Sequence, residues 1–509
     1  MNAKNTKKKR NRQENKRFWV RVLAIVLAVL LVGGTIISIL VSMAEEAAPT
    51  RDRYVMEMSY LEDEQALHIT QRLAFVNRTV EYMDRVLFSA AANVYRRESA
   101  LPYDEADLLK AFPAGYVPGG MDLVRVEVDG TAAEYGFQGE NETTLRVACA
   151  LAPGQGCEFL FEYYLLLTRN DSLLGKGDTD VRLSSFFPMP GVPMNGGFVL
   201  RAPVSFTRSA ETTEADYAVT LTLPAEYLAC GTGNVRADDA EGGARTWTFE
   251  AEGVRDFALS FGRRWREGRD TSESGVTLRV LTNVRGAEKR ALVAAGDALR
   301  LCEAWLGAFP LDELTVAQSD YAVCPRSFPG VLWISEADIR DDAALKSAIR
   351  FFVAQQYIGY AAWTEPVTDA WLSDAPCTYL ALLMEEALEG HDAFLKALNA
   401  VVLDPLNITV PGGLTVTSDA RDMSREEYEL ITIGRGTVVM HEMASAMGSD
   451  AFIAAMRLFY EAGLEKDVLE EADLVRAFDA ATGGDWEAYL TEWLFNVDDY
   501  LAQRVEWYE

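Results

Sequence analysis

An uncharged apolar stretch, residues 22–43, constrains this chain more than any other feature. As a helix, its 22 residues would span roughly 33 Å at about 1.5 Å per residue, enough to cross the hydrocarbon core of a bilayer. Nine Lys and Arg residues and one Glu precede it, and basic segments stay on the cytoplasmic side. The sequence therefore predicts a basic cytoplasmic tail (1–21), a transmembrane helix (22–43), a tether (44–50) and an extracytoplasmic bulk, in a single-pass protein of the cell membrane. The alternative is a cleaved signal peptide, whose apolar segment is usually shorter, about 7 to 15 residues.

The remainder of the chain is strongly acidic. The formal net charge is -29, and because residues 1–21 contribute +8, the residues after them carry -37. Nucleic-acid binding needs clustered Lys and Arg side chains, so this charge argues against a nucleic-acid partner.

Six cysteines in a chain of 509 residues do not make a disulfide scaffold. Cys149 and Cys157 flank a turn-like Pro-Gly-Gln-Gly stretch, so they could face each other across a hairpin. The other interpretation, two small buried side chains, stays open.

Two parts of different character follow residue 50. Residues 51–265 contain short β-rich runs separated by turn residues, and several runs alternate apolar and polar positions as half-buried strands do. In residues 266–509 apolar positions recur with a period near 3.6, which indicates helices. We therefore predict an α+β chain, with an N-terminal β-sandwich domain at 51–265 and a mostly α-helical domain at 266–509.

The clearest motif is residues 369–380, which read Asp-Ala-Trp-Leu-Ser-Asp-Ala-Pro-Cys-Thr-Tyr-Leu. This resembles the Asp-x-Trp-Leu-Asn-Glu-Gly-Phe-Ala-Thr-Tyr-Leu helix of the membrane alanyl aminopeptidase family, the gluzincin zinc metallopeptidases of the aminopeptidase N type. The resemblance implies that the helical domain is thermolysin-like (gluzincin). It also implies that Asp374 stands where the family has a glutamate zinc ligand.

In the family, eighteen residues separate this glutamate from the second His of a His-Glu-x-x-His helix, which carries the other two zinc ligands. The same spacing leads from Asp374 to Gln355. Residues 351–359 read Phe-Phe-Val-Ala-Gln-Gln-Tyr-Ile-Gly and are similar to the family's His-Glu-Leu-Ala-His-Gln-Trp-Phe-Gly. The resemblance thus places Phe351 and Gln355 at the two His ligands and Phe352 at the general-base Glu. A catalytic zinc needs three N, O or S ligands and a water, and phenylalanine offers no lone pair. We therefore predict a degenerate site with no metal and no cofactor.

Two further family positions are altered. Residues 324–330, Cys-Pro-Arg-Ser-Phe-Pro-Gly, stand at the family's Gly-Ala-Met-Glu-Asn-Pro-Gly strand, so Ser327 replaces the Glu that holds the substrate amine. Residues 433–436, Ile-Gly-Arg-Gly, resemble the family's Tyr-x-Lys-Gly, so Ile433 replaces the tyrosine expected to steady the oxyanion.

Only three histidines are present in the chain. His441 begins a His-Glu-x-x sequence, but the fifth position is Ser445, so the second imidazole of a zincin motif is missing. His68 lies in a strand-like run and His391 at a probable helix start, far from it in sequence.

The aromatic residues at the altered positions allow two interpretations. Phe351, Phe352, Tyr357 and Ile358 could fill the cleft where metal and water would sit, which the stabilising effect of apolar burial favours. Alternatively they could line a remodelled groove that still binds a peptide or protein partner.

These observations favour a membrane-anchored, non-catalytic binding or scaffolding protein over an enzyme. One alternative is an active zinc metallopeptidase with displaced ligands. The other is a subunit of an envelope or transporter complex.

Overall fold

A computed structural model describes residues 51–194, 197–200, 204–209, 213–240, 243–406 and 413–504. The chain has a mixed α+β fold, with strands concentrated in its first half and helices in its second. The strands of the first half are β1 (Asp52–Leu61), β2 (Ala66–Val76), β3 (Met83–Ser89), β4 (Gly120–Val128), β5 (Thr131–Ala132), β6 (Tyr135–Gln138), β7 (Thr144–Leu151), β8 (Gly156–Leu166), β9 (Leu174–Lys176), β10 (Val181–Leu183), β11 (Met189–Pro190), β12 (Val192–Met194), β13 (Gly197–Val199), β14 (Ala215–Pro224), β15 (Leu228–Gly231), β16 (Asn234–Ala240), β17 (Ala244–Val254) and β18 (Leu259–Gly262).

The largest sheet of this half has eight strands in the order β16-β17-β14-β1-β2-β8-β4-β5. Strand β1 pairs parallel with β14 and antiparallel with β2, and its residues alternate between buried and half-buried. Smaller four-stranded sheets, β15-β18-β10-β9 and β11-β3-β7-β6, accompany it. The core is rich in aromatic rings, such as Tyr54 stacked on Tyr217 at a centroid distance of 4.9 Å. The alternation in the sequence thus reflects one buried face on each strand.

The second half begins with a five-stranded mixed sheet whose order is β19-β20-β21-β23-β22, so that β22 is an edge strand. Its strands, with a final two-stranded pair, are β19 (Arg266–Thr271), β20 (Thr277–Thr282), β21 (Glu313–Ser319), β22 (Arg326–Phe328), β23 (Val331–Ser335), β24 (Ile358–Gly359) and β25 (Ala362–Trp363). The helices among the described residues are α1 (Glu105–Ala111), α2 (Ala287–Leu306), α3 (Glu336–Arg340), α4 (Asp342–Tyr357), α5 (Trp371–Glu389), α6 (His391–Leu406), α7 (Arg425–Tyr428), α8 (Gly436–Met447), α9 (Ser449–Leu464), α10 (Glu471–Thr482) and α11 (Glu487–Arg504), with a π-helix at Glu429–Arg435 and 3-10 turns at Ala91–Arg96, Glu98–Ala100 and Ala420–Asp422.

Helices α4 and α5 run antiparallel, because Gln355 near the end of α4 contacts Asp374 near the start of α5, while Lys346 near the start of α4 contacts Glu389 at the end of α5. The Asp341 side chain begins α4 by accepting hydrogen bonds from the amides of residues 343 and 344, which would otherwise lack partners. This pair of helices positions most of the candidate site.

The predicted transmembrane helix is the part of the fold class that is wrong. No helix in the described part of the chain is long and apolar enough to cross a membrane. The long helices α2 and α5 both carry charged side chains, such as Glu288, Arg300 and Glu385, which are costly in a hydrocarbon core. Residues 22–43, on which the prediction rested, lie outside the described residues, as do the predicted tail (1–21) and tether (44–50). The predictions of a single-pass anchor and of an extracytoplasmic location are therefore withdrawn.

Cys149 and Cys157 lie on β7 and β8 with their Sγ atoms 3.6 Å apart, and both are free thiols. The hydrogen bond between them lowers the pKa of Cys149 and raises that of Cys157. The two cysteines thus face each other across the turn between β7 and β8, but these strands belong to different sheets and do not pair as a hairpin, and Cys149 is also buried.

A buried ion pair lies where the two halves of the chain meet. Arg182 and Asp180 are both fully buried and paired with each other. The Arg182 guanidinium also donates to the carbonyl oxygens of Ser172, at 2.7 Å, and Asn170. Asp180 in turn accepts a hydrogen bond of 3.2 Å from the amide of Asp320, which follows β21. Burial raises the pKa of Asp180 to about 6 despite the opposing charge of Arg182.

Candidate functional site

A cleft of about 950 Å3 lies between helices α4, α5 and α6 on one side and the edge strand β22 and the π-helix on the other. Residues 206–208, from the first half of the chain, complete its wall. The helical wall is built largely from small and aliphatic side chains, namely Ala344, Ala348, Ala381, Leu382, Ala393 and Ala397.

The cleft brings together all six residues that the sequence singled out. Phe351, Phe352 and Gln355 lie on α4, Asp374 on α5, Ser327 on β22 and Ile433 on the π-helix, and each of them lines the cleft.

Asp374 is 8% exposed and lies at the centre of a hydrogen-bond network. Its Oδ1 accepts from Gln355 Nε2 at 3.1 Å and from Ser373 Oγ at 2.9 Å. Its Oδ2 accepts from the Tyr428 hydroxyl at 2.7 Å. Both carboxylate oxygens are therefore occupied by neutral donors.

The Gln355 side chain connects Asp374 to β22. While its Nε2 donates to Asp374, its Oε1 accepts from Ser327 Oγ. If the Gln355 amide were reversed, its carbonyl oxygen would face the Asp374 carboxylate, and two acceptors cannot form a hydrogen bond. The carboxylate therefore determines that the Gln355 amide nitrogen points toward it. Tyr428, Asp374, Gln355 and Ser327 thus form a connected series of hydrogen bonds across the cleft floor.

The donor chemistry at this point does not fit a catalytic zinc ion. The available groups are one carboxylate, Asp374, and one amide, Gln355, and the neighbouring Phe351 has no lone pair. Catalytic zinc sites use three protein ligands of the His, Cys, Asp or Glu type together with a water. Within the described residues, no group of three such side chains could hold a metal ion.

Phe351 and Phe352 lie in the wall of the cleft and do not fill it. Phe352 is 5% exposed and packs in the core, whereas Phe351 is half-buried against it. Their rings meet edge to face with centroids 5.1 Å apart. The two interpretations thus each hold in part, because Phe352, Tyr357 and Ile358 are buried in the core while Phe351 and Phe352 line an open groove.

Sequence reasoning missed three buried residues of the cleft: Arg208, Arg326 and Tyr428. Arg208 donates to Thr364 Oγ1 at 2.8 Å, to Ser373 Oγ at 3.0 Å and to the carbonyl oxygen of Gly359.

Tyr428 lies at the end of α7, directly before the π-helix that carries Ile433. Burial and the adjacent Asp374 charge raise the pKa of Tyr428 well above its usual value, so its hydroxyl stays a donor. The sequence signalled only an amphipathic helix here. A π-helix shifts side chains off the 3.6-residue period, which periodicity alone does not reveal.

The three histidines do not come together. His441 Nδ1 lies 3.1 Å from the Tyr379 hydroxyl, and burial lowers its pKa. His68 pairs with Glu162, and His391 pairs with Glu386. None of the three lines the cleft.

Comparison with solved structures identifies the fold. A point mutant of the M1 zinc metallopeptidase of Deinococcus radiodurans superposes with a TM-score of 0.62 at 15% identity, covering 87% of this chain and 94% of that one. A form of that enzyme bound to a Tyr-Ser-Ala substrate gives 0.61 at 16% identity, covering 88% and 95%. Aminopeptidase A of Legionella pneumophila gives 0.64 at 13% identity, covering 89% of this chain and 50% of that one.

The chain therefore has the fold of the M1 zinc metallopeptidases, the aminopeptidase N type. Its extent matches the Deinococcus enzyme nearly end to end, whereas the Legionella enzyme is about twice as long as the matched region. No protein-family model matches the sequence. A comparison with curated proteins gives no match.

Proposed function

We propose that this chain is a non-catalytic peptide- or protein-binding protein built on the M1 aminopeptidase fold, whose zinc site has been replaced by a hydrogen-bond network. In this proposal residues 51–265 form the N-terminal β-sandwich domain and residues 266–509 the degenerate peptidase-like domain. The cleft between α4, α5, α6 and β22 is the binding site.

The observation that supports this proposal most directly is the hydrogen bonding of Asp374. Both of its oxygens are already bound by Gln355, Ser373 and Tyr428, and Gln355 is itself held by Ser327. A metal ion would have to break this buried network, and each lost bond would leave a buried polar group without a partner. The network thus satisfies by itself the polar groups that a zinc ion would otherwise neutralise.

The general base is also replaced in this proposal. Phe352 is an apolar side chain buried in the core, so it cannot accept a proton from water. Ser327 donates its hydroxyl to Gln355, and it carries no charge with which to hold a substrate amine. The cleft retains the shape for a peptide while lacking groups that would cleave one.

Reintroducing ligands provides a test. Phe351 and Gln355 lie one turn apart on α4, so two His side chains there would share one face of the helix. We expect the triple variant Phe351→His, Gln355→His, Asp374→Glu to bind about one zinc per chain, measured by mass spectrometry after equilibration with zinc and removal of free metal.

The matched control is Phe351→His alone, which adds one imidazole and should leave the zinc content low. Failure of the folded triple variant to take up zinc would show that these positions do not correspond to a metal site of the fold. Stoichiometric zinc in the unmodified chain would instead favour the alternative, an active metallopeptidase with displaced ligands.

A further inference from the structure

Arg326 lies on the edge strand β22, immediately before Ser327. The strand pairs with β23 on one side only, with Arg326 opposite Trp333, so its other edge borders the cleft. Arg326 is 5% exposed and its side chain lines the cleft. It is therefore a buried cation at the cleft wall.

The charge of Arg326 is poorly compensated. In the described parts of the chain its guanidinium forms no ion pair, and its one hydrogen bond runs from Nη1 to the Ser205 carbonyl oxygen at 3.3 Å. Its Nε is buried and has no hydrogen-bond partner. Buried charges are normally paired, because an unpaired one loses its hydration without compensation.

The acids around Arg326 are used elsewhere. Asp374 is bound by its neutral donors, and Glu429 pairs with Arg425 at 2.7 Å. Asp256 is buried near enough that the Arg326 charge opposes the rise in the pKa of its carboxyl group. Its Oδ1 accepts from the Phe257 amide at 2.8 Å, while its Oδ2 is buried without a hydrogen-bond partner, and it forms no ion pair with Arg326 among the described residues. No neighbouring carboxylate among the described residues thus saturates the guanidinium.

Arg208 adds a second positive charge at the same end of the cleft. Its side chain is buried, lies over the rings of Tyr360 and Trp363 at 5.5 and 5.0 Å, and forms no ion pair within the described segments. Its Nη atoms donate to carbonyl and hydroxyl oxygens, and its Nε is buried without a hydrogen-bond partner, so Arg208 adds mainly positive charge to this end of the cleft.

The opposite end of the cleft is balanced. There Lys346 pairs with Asp342 and Glu389, and Arg350 pairs with Glu385 and Glu389. Lys346 and Arg350 are therefore paired at that end, whereas the buried Arg326 at the β22 end has no ion pair among the described residues. The exposed Lys396 on α6 also lines the cleft.

We infer that the cleft takes a carboxylate-bearing peptide, whose carboxylate lies against the Arg326 guanidinium at the β22 end. This rests on the proposed function and specifies its ligand. A planar guanidinium with unused N–H groups matches a carboxylate, which accepts two parallel hydrogen bonds. The apolar wall of α4, α5 and α6 accommodates the rest of the peptide.

The test uses the full chain and short N-acetylated alanine peptides in three forms: a neutral C-terminal amide, the C-terminal free acid, and an amide with one internal Glu. Isothermal titration calorimetry should show that at least one carboxylate form binds about tenfold more tightly than the neutral amide. Of these two carboxylate peptides, the one that binds more tightly shows whether the cleft takes a C-terminal carboxylate or an acidic side chain.

Arg326→Gln should remove this tenfold preference, and Arg326→Lys should retain part of it because the charge remains without the planar fork. The control is Arg236→Gln, which removes one exposed positive charge on β16, away from the cleft, and should leave the preference unchanged. Thermal unfolding of each variant establishes that it is folded.

Equal binding of all three peptides, a preference that survives Arg326→Gln in a folded protein, or no peptide binding would each overturn this inference. Equal binding of the three forms would leave a peptide-binding cleft and hence the proposed function intact. Chelator-sensitive release of N-terminal residues from the same peptides without the acetyl group would defeat the proposed function instead.

Discussion

Replacing Arg182 with alanine is expected to lower the free energy of unfolding by about 3 to 5 kcal/mol. The substitution leaves the Asp180 carboxylate buried without its cation, since both side chains are 0% exposed. It also removes the donors to the carbonyl oxygens of Ser172 and Asn170. Urea unfolding followed by circular dichroism measures the change.

The loss of unfolding free energy in Arg182→Ala should depend on pH. The pKa of Asp180 is raised to about 6 in the folded chain, above its unfolded value, and Arg182 acts to lower it. Without Arg182 the folded-state pKa rises further, so the carboxyl is protonated and neutral at pH 5. An acid whose pKa is raised by folding destabilises the fold as pH rises, because the unfolded state then binds fewer protons than the folded state. The destabilisation should therefore be smaller at pH 5 than at pH 8.

A nearby exposed ion pair provides the control. Arg169 pairs with Asp178 at 2.6 Å, but the two side chains are 69% and 76% exposed. Arg169→Ala should cost less than about 1 kcal/mol at either pH. If Arg182→Ala cost no more than this control, the buried pair would not contribute to folding as described.

Replacing Asp374 with alanine is expected to lower the free energy of unfolding by about 2 to 4 kcal/mol. Gln355 Nε2 and the Tyr428 hydroxyl would lose their acceptor in a buried environment. Ser373 would lose less, because its hydroxyl also reaches the Ala370 carbonyl oxygen at 3.2 Å. Denaturant unfolding measures the loss.

The control on the same helix is Glu386→Ala, which removes an exposed acid paired with His391 and should cost less than about 1 kcal/mol. A double-mutant cycle between Asp374→Ala and Tyr428→Phe should give a coupling energy of about 1 to 2 kcal/mol. Coupling near zero would mean that the two side chains are not joined in solution, and the network would then not be the stabilising feature of the site.

The two motifs that resemble the aminopeptidase family could be recognised in the sequence because each is a short continuous segment. Residues 369–380 fall at the start of α5 and residues 351–359 at the end of α4, and the antiparallel packing of these helices brings Gln355 and Asp374 into contact. The family resemblance, which supplied the spacing between the two segments, was thus enough to predict that Gln355 and Asp374 lie together.

The other cleft residues depend on long-range contacts. Tyr428 reaches Asp374 across 54 residues, and Arg208 reaches Ser373 across 165. Neither carries a local signature, since a tyrosine in an amphipathic helix and an arginine in a loop are ordinary surface residues in sequence terms. Their roles follow only from the packing of the first half of the chain against the second.

The transmembrane prediction failed for a different reason. It rested on the apolar length of residues 22–43 and on the basic residues before them, and all of these lie outside the described residues. The helices that the structure describes carry their apolar faces inward, as in the core around α4, α5 and α9, and their charges outward.

The central claim is that this M1 fold lacks a zinc centre, and the most direct test is the metal content of the purified full chain, measured by mass spectrometry after equilibration with zinc, together with a fluorogenic aminopeptidase assay on the same sample. We expect zinc well below one equivalent per chain and no turnover that a chelator abolishes. One equivalent of zinc with chelator-sensitive release of N-terminal residues would contradict the account.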